Sequence, residues 1–400
     1  MRLSRRFYYK LINYHLPNEG AFVKRDLILT LFFVVMTLVV MALPTGFSDR
    51  GDAKAVRCKG KVLETDNSLL RQYGIVRMGA QSLEVELLNG PFKGEIVSAE
   101  NHVTGKMDID KIFLPGDKAY MVLTTKDGAV AYANAMDHYR LDVELVLLSL
   151  FFLLLILFGG WTGAKAILSF IFSAAVIWQI MVPMFLKGYN PIVTAVAVVT
   201  VVSAAVIFLV GGLSKQGFVA FAGAVAGVVT TCVLALAFGG AFKLHGAVRP
   251  FSETLLYCGF ADISLTQVFL ASVFIASSGA VMDLAMDVAS AMNELALKRP
   301  DMDFWESLRS GLAVGRAVVG TMTTTLLFAY SGGYITLLMV FMAQGVALGN
   351  LFNLNYVSAE ILNTLVGSFG LITVAPFTAL AGALVFTRGR KSGADLQTAE

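Results

Sequence analysis

Four polar residues share one face of a long apolar segment, and two of them are carboxylates that fall where hydrocarbon is expected. Asp283, Asp287, Ser290 and Glu294 recur at spacings of four, three and four, which places them in one row along a helix. In a bilayer core an ionised side chain costs roughly 3 kcal/mol unless it faces protein or water. Because neighbouring carboxylates repel each other, Asp283 and Asp287 are suited to hold a proton near neutral pH or to bind a cation. A hydrogen-bonded pair with a purely structural role is the alternative.

The next apolar segment offers partners for these carboxylates. Arg316 opens an otherwise uncharged helix and is followed by several threonines, so an ion pair between Arg316 and Asp287 is expected. The alternatives are that Arg316 extends to the membrane surface, that the threonines bond to their own helix, and that Glu294 forms an exposed pair with Lys298. The predicted proton or cation relay comprises Asp283, Asp287, Asn293, Glu294, Arg316, Thr323 and Thr324.

A second group of polar residues precedes the last apolar segment. Asn350, Asn353, Glu360 and Asn363 surround a short amphipathic stretch, and Pro376 interrupts the segment that follows. Broken helices with free backbone groups are where membrane transporters bind ions or substrates. These four residues are therefore a candidate secondary polar site. An interfacial connector with a tolerated proline kink explains the pattern equally well.

The elements that must position these groups are membrane-spanning helices. Hydrophobic residues make up 56% of the 400 residues and charged ones 15%, and the mean hydropathy is +0.71, values that exclude an ordinary soluble domain. Eight stretches approach the ~20 apolar residues that a span requires. They are Leu27 to Leu43, Leu141 to Phe158, Ala166 to Phe185, Pro191 to Leu213, Phe218 to Phe238, Leu265 to Met286, Leu312 to Ala329 and Leu365 to Phe386. The fold class is a polytopic α-helical bundle of about eight spans.

The positive residues predict the orientation of these spans. Short loops rich in Lys and Arg remain in the cytoplasm, which places the basic N-terminus, residues 1–26, and the tail, residues 388–400, inside. The first span, residues 27–44, is an uncleaved anchor, and residues 141–387 form the bundle. Residues 334–348 are apolar but short, so we predict a re-entrant or interfacial helix there rather than a ninth span.

Residues 45–140 form the extramembrane domain that this map places outside the cytoplasm. Runs such as Leu83 to Leu87 alternate like strands, and breaks such as Pro115-Gly116-Asp117 supply turns, so a small β-barrel or half-barrel is expected. The three cysteines and the histidines have no metal-ligand spacing, and no cofactor is expected. The formal net charge of +3 is too small to indicate nucleic-acid binding.

The run from Ser278 to Ala289, followed by Ala291 to Leu295, resembles the signature of the YibE/F family of bacterial membrane proteins. The resemblance extends to Asn89 to Pro91 with Gly94 and Glu95, to Gly311 to Gly320, to Met342 to Gly345, and to Ala359 to Ile361. It implies a presumed permease of the bacterial cytoplasmic membrane without an established substrate. The order of an aspartate helix, a connector and a threonine-rich span is also similar, more distantly, to resistance-nodulation-division permeases and proton-driven Sec accessory subunits. That likeness implies proton coupling.

Three functional hypotheses follow from these residues. The leading one is a proton- or cation-coupled transporter or energy-coupled envelope component, in contact with the bilayer and an unknown small-molecule or envelope-protein partner. The second is a scaffold that does not transport and whose outer domain docks envelope proteins. The third, an intramembrane enzyme with the two aspartates as acid and base, has little support, because no phosphate loop, His-Glu-x-x-His or nucleophile elbow occurs.

Overall fold

The computed structural model describes residues 19–47 and 55–387 and divides into two compact units. One unit comprises residues 1–45 and 158–400, and the other residues 46–157. The predicted cytoplasmic tail and most of the basic N-terminus lie outside the described residues. The helices are α1 Glu19–Ala42, α2 Leu141–Val176, α3 Val182–Leu186, α4 Pro191–Gly211, α5 Lys215–Ala241, α6 Ser252–Tyr257, α7 Leu265–Lys298, α8 Phe304–Ser331, α9 Ile335–Ala343, α10 Leu348–Asn353 and α11 Asn355–Thr387.

Long apolar helices dominate the structure, as the composition predicts. Within the described residues, seven helical segments are long and apolar enough to cross a membrane. Two of the eight expected spans lie in one of them, the 46-residue segment Leu141–Leu186. No loop separates the two, because the chain stays helical except at Gly160, whose φ of 53° and ψ of −126° break the helix. A π-helical turn at Ile177–Met181 then joins α2 to α3.

Helix α7 lies at the centre of the bundle and packs against α4, α5, α8 and α11. It is continuous over 34 residues, as predicted, and is therefore about 50 Å long. Its fully buried side chains include Phe269, Phe274 and Leu284. Helices α5 and α11 approach closely at glycines: a Cβ on Gly227 would lie 3.1 Å from the Cβ of Val374. Small residues in α5 therefore allow the close approach of the two helices.

The connector after α7 is shorter than predicted. The carboxylate of Asp303 accepts a hydrogen bond from the Glu306 backbone N–H at 2.6 Å, which caps α8 at its first turn. Residues 304–310, which precede the expected span Leu312 to Ala329, are therefore the start of α8, and this one helix runs on to Ser331.

The region after α8 contains a short helix, in line with the prediction that residues 334–348 do not form a separate span. A 3₁₀ turn at Gly332–Tyr334 leads into α9, which has nine residues and at about 14 Å is too short to span a ~30 Å hydrocarbon core alone. Helix α11 starts at Asn355 and continues through Pro376. Of the two alternatives for Pro376, the structure therefore agrees with a proline tolerated inside the helix and not with a broken helix, and residues 355–363 are already the first turns of α11.

The second unit contains a small β-barrel, as the alternating runs predict. Its strands are β1 Ala55–Asp66, β2 Arg71–Tyr73, β3 Val76–Leu87, β4 Ile96–Thr104, β5 Lys118–Lys126 and β6 Ala129–His138. The sheet order is β1-β5-β6-β4-β3-β2, and β1 also pairs with β3, which closes the barrel. Inward-facing Val62, Val85 and Met121 are fully buried, in line with the period of two.

Candidate ion site

Asp283 and Asp287 line one groove of about 520 Å³ between α4, α7 and α8. Both carboxylates stand on the exposed side of α7, whose opposite side forms the bundle core. The rest of the groove wall is apolar and consists of Val206, Ile207, Val210, Met282, Met286, Val318 and Met322. The predicted row of acidic residues therefore faces a space between helices, which we call the acid groove.

No described residue supplies a counter-charge or a hydrogen bond to either carboxylate of the acid groove. One turn along the row, Gln216 at the start of α5 donates from Nε2 to Ser290 Oγ at 2.5 Å. Asn293 is half-buried and Glu294 is exposed further along the same helix.

The expected ion pair between Arg316 and Asp287 is not formed. Arg316 is exposed and has no acidic partner in the part of the chain that the structure describes. At about 100° per residue, Arg316, Thr323 and Thr324 point roughly 100–160° away from the side chains of Val318 and Met322 that line the acid groove. Thr323 and Thr324 instead line a separate groove against α11. The prediction is wrong because α8 presents its apolar side to the carboxylates.

A second polar cluster involves Glu360, one of the four residues of the predicted secondary site. Arg249, in the loop after α5, places its Nη1 2.8 Å from Glu360 Oε1 and donates from the same nitrogen to Tyr334 Oη at 2.5 Å. The guanidinium also lies 5.7 Å from the centroid of the Phe269 ring. The ion pair thus ties the loop to α11 and to the 3₁₀ turn.

The other three residues of the secondary site do not join this ion pair. Asn363 is buried in α11, and its Oδ1 has no hydrogen-bond partner among the described residues. Asn350 and Asn353 are exposed on α10, and Asn353 donates to the carbonyl of Gly349 at 2.7 Å. The structure therefore separates the four residues of the predicted site: Glu360 is in the charged cluster, Asn363 is buried in α11, and Asn350 and Asn353 are exposed on α10.

A family model described as YibE/F-like protein matches residues 147–388, which is more than half of the chain. The chain belongs to the YibE/F family. The matched region contains both polar clusters and confirms the resemblance inferred from the aspartate run, whereas most of the barrel unit lies before it. No curated protein and no solved structure matches the chain.

This YibE/F-family protein contains a further buried ion pair that the sequence interpretation missed. Lys165 Nζ lies 3.0 Å from Asp26 Oδ1, and Trp161 Nε1 donates to the same carboxylate at 2.9 Å. Lys165 falls between two of the expected spans, but it lies within α2 and is only 7% exposed. A single lysine five residues after Gly160, between two apolar runs, was the available signal.

Arg249 and Tyr334 are the other functional candidates that sequence reasoning missed. Arg249 falls between two of the expected spans, and Tyr334 is only the first residue of a short apolar segment. The pairing partner, Glu360, stands more than 100 residues beyond Arg249 in the sequence. An isolated acidic residue near the start of a long apolar helix predicts a partner of opposite charge, but not which one.

Proposed function

We propose that this protein is a multipass transporter of the bacterial cytoplasmic membrane, driven by protons or another cation that binds in the acid groove. One observation carries the proposal: Asp283 and Asp287 line the same apolar-walled groove, and no described residue neutralises them. A structural pair would be expected to have a fixed partner on a neighbouring helix. Within residues 19–47 and 55–387, the polar neighbour of each carboxylate in the groove is the other carboxylate.

The physical reason for ion binding is electrostatic. Side chains one helical turn apart lie about 6 Å from each other, and two negative charges at that distance repel by roughly 3 kcal/mol at an effective dielectric constant near 20. A proton or a cation that binds between the carboxylates removes this repulsion. When it leaves, the repulsion returns, and a cycle of binding and release can therefore drive a change in how α4, α7 and α8 pack.

The row along α7 supports an ion path. Ser290 and Glu294 continue from Asp287 toward the end of the helix, with Gln216 bonded to Ser290 and Asn293 beside the row. Polar side chains spaced by a turn can pass a proton along a chain of hydrogen bonds or water. We therefore assign these residues to the path that joins the acid groove to the cytoplasm.

The proposed topology counts the two arms of α2, before and after Gly160, as separate crossings. With the other six apolar segments this makes eight spans and places both termini inside, with residues 46–140 outside the cytoplasm. The short-loop lysines and arginines support this orientation.

A scaffold is the second candidate, and the barrel supports it. The turn between β2 and β3 carries exposed Tyr73 and Ile75, the latter 86% exposed, and Leu69 stands before it at 63%. Exposed apolar side chains grouped at one place often mark an interaction site. Under this reading the barrel docks an envelope protein and the carboxylates carry no ion.

The experiment that tests the proposal follows the carboxylates directly. Infrared difference spectra of the protein in liposomes, recorded across a pH titration and across a sodium titration, should contain a carboxyl band that responds. The band should be lost in Asp283→Asn and Asp287→Asn and retained in Asp262→Asn, an exposed aspartate of the loop before α7. If no band responds, or if all three variants keep it, the acid groove is not an ion site.

Coupling is measured in proteoliposomes that enclose a pH-sensitive dye. Addition of a transported compound outside the liposomes should then move protons across the membrane and change the dye signal, both with wild type and with Asp262→Asn. The Asp283→Asn and Asp287→Asn variants should fold and insert but move none. Normal proton movement in both variants would refute coupling through the acid groove and would favour the scaffold hypothesis.

A further inference from the structure

The side of α8 that turns away from the acid groove faces a second space, along its seam with α11. Two cavities of about 360 Å³ and 330 Å³ occur there. Both are lined by Leu327, Thr364 and Leu365, so they form one elongated groove, which we call the seam groove. Its volume lies in the range typical of small-molecule sites.

The lining of the seam groove combines apolar walls, aromatic rings and one acid. Tyr330, Tyr334 and Phe352 line the larger cavity together with several leucines, and Glu360 is the only charged residue among its lining residues. No lysine or arginine lines either cavity. Aromatic faces attract cations within about 6 Å of the ring centroid, and the carboxylate adds a full negative charge. The lining chemistry thus fits a cation with an apolar body.

The negative charge of Glu360 is paired with Arg249, a partner that a ligand can replace. Its side chain is 13% exposed, whereas that of Arg249, 2.8 Å away, is 34% exposed and belongs to a loop rather than to a packed helix. Arg249 can therefore move into water without moving a helix. Arg249 is not among the residues that line the seam groove, so it neutralises Glu360 from outside the groove.

We propose that the seam groove binds a lipophilic organic cation, and that this cation replaces Arg249 as the partner of Glu360. The apolar body of the ligand lies along Leu327 and Leu365, and its charge lies near Glu360 and the tyrosine rings. The buried Tyr330 Oη, which has no hydrogen-bond partner among the described residues, is an additional acceptor for an ammonium N–H. Binding itself is independent of ion coupling. As the substrate site of the transporter, the groove rests on the proposed function.

The exchange makes two substitutions act in opposite directions. Glu360→Gln removes the negative charge that the ligand needs, so the affinity should fall. Arg249→Gln removes the competitor and leaves Glu360 charged, so the affinity should rise or stay the same. A site that bound an anion or a zwitterion through Arg249 would instead lose affinity in Arg249→Gln. The direction of that one change distinguishes the classes of ligand.

The test uses tetraphenylphosphonium as the probe and tetraphenylborate, which has the same shape and the opposite charge, as its control. Binding to the full chain in nanodiscs is measured by equilibrium dialysis, with empty nanodiscs subtracted. We expect the cation to bind at least tenfold tighter than the anion. In Glu360→Gln we expect the dissociation constant of the cation to rise about tenfold, the change that about 1.4 kcal/mol produces.

Control variants separate this inference from folding defects and from the proposed function. Glu253 is an exposed acid in α6, and Glu253→Gln should bind the cation as tightly as wild type. Thr364→Phe should block binding because the larger side chain fills the seam groove without a change in charge. This variant replaces Glu360→Gln as the test if Glu360→Gln does not fold. Asp283→Asn should bind the probe normally even though coupling is lost. Equal binding of cation and anion, weaker cation binding in Arg249→Gln, or normal binding in Thr364→Phe would overturn the inference.

Discussion

Replacement of Gly223 by alanine tests the packing that holds the two polar grooves in place. Gly223 lies in α5 where this helix crosses α11. A Cβ at this position would overlap Thr378 Oγ1 and would lie 2.8 Å from the Thr378 Cβ and 3.0 Å from its Cα. The threonine hydroxyl already donates to the carbonyl of Val374 at 2.8 Å. One methyl group is thus added where no space exists.

The magnitude follows from which atoms are too close. If only the hydroxyl of Thr378 stood in the way, a change of rotamer would relieve the overlap. Because the Cβ and the backbone are also too close, α5 and α11 must move apart by several tenths of an ångström. Overpacking that shifts backbone costs about 1–3 kcal/mol, and we expect the upper part of this range for Gly223→Ala. The gain in helix propensity, at most about 1 kcal/mol, offsets only part of the cost.

The assay is thermal unfolding of the detergent-solubilised protein, followed by fluorescence-detected size exclusion. Gly240→Ala is the matched control, since it lies in the same helix and a Cβ there has no neighbour within 4 Å. We expect Gly223→Ala to lower the unfolding midpoint and Gly240→Ala to leave it unchanged or slightly raised. Addition of Thr378→Gly to Gly223→Ala should restore part of the loss, because it removes two of the three overlapping atoms.

Equal midpoints for Gly223→Ala and Gly240→Ala would refute this reasoning, since the seam between α5 and α11 would then tolerate a methyl group. Failure of Thr378→Gly to restore any stability would show that the strain is not located at this contact.

Further predictions concern charged groups outside the two grooves. Lys165→Met removes the counter-charge of the partly buried Asp26 and should cost up to about 3 kcal/mol, because Trp161 still donates to that carboxylate. Lys215 is exposed, and Lys215→Met should change the free energy of unfolding by less than about 0.5 kcal/mol. Thermal unfolding measures both. In the barrel, hydrogen bonds led by that from the Thr104 backbone N–H hold the pKa of Asp110 below its ordinary value. Because the folded-state pKa is the lower one, this stabilisation is present above about pH 4 and is lost as the pH falls further. Hydrogen exchange of residues 104–110, corrected for the intrinsic rate, should therefore accelerate below pH 4 in wild type and much less in Asp110→Asn.

The fold could be predicted in large part because its signals are local. The long apolar runs and the alternating runs of the barrel depend on the period of each element, and the structure contains both. The number of helical segments was harder to predict: residues 159–165 contain three glycines and a lysine, which suggested a loop, yet Gly160 alone leaves the helical conformation. A glycine predicts a break, but the neighbours decide whether the chain turns or continues.

The candidate sites show the same difference between local signals, which the sequence contains, and contacts between distant residues, which it does not show. The row of Asp283 and Asp287 depends only on spacing within one helix, and the structure places both in one groove. The pairing of Arg316 with that row required knowledge of how α8 is rotated about its axis. That rotation is set by Gly311 and Gly315, where added Cβ atoms would lie 2.9 Å and 2.6 Å from the Cβ atoms of Ala379 and Ala375.

The sequence by itself therefore determined the apolar helices, the β-rich character of the small unit and the single face that the α7 carboxylates share, whereas the pairing of β1 with β3 that closes the barrel is a tertiary contact. Only the tertiary structure decided that α8 separates an acid groove from a seam groove, and that Arg249 rather than Arg316 forms the ion pair with a carboxylate of the bundle. The reason is physical: side-chain spacing fixes the faces of a helix through about 100° per residue. Which face meets which neighbour depends on close contacts of small residues that are distant in the sequence.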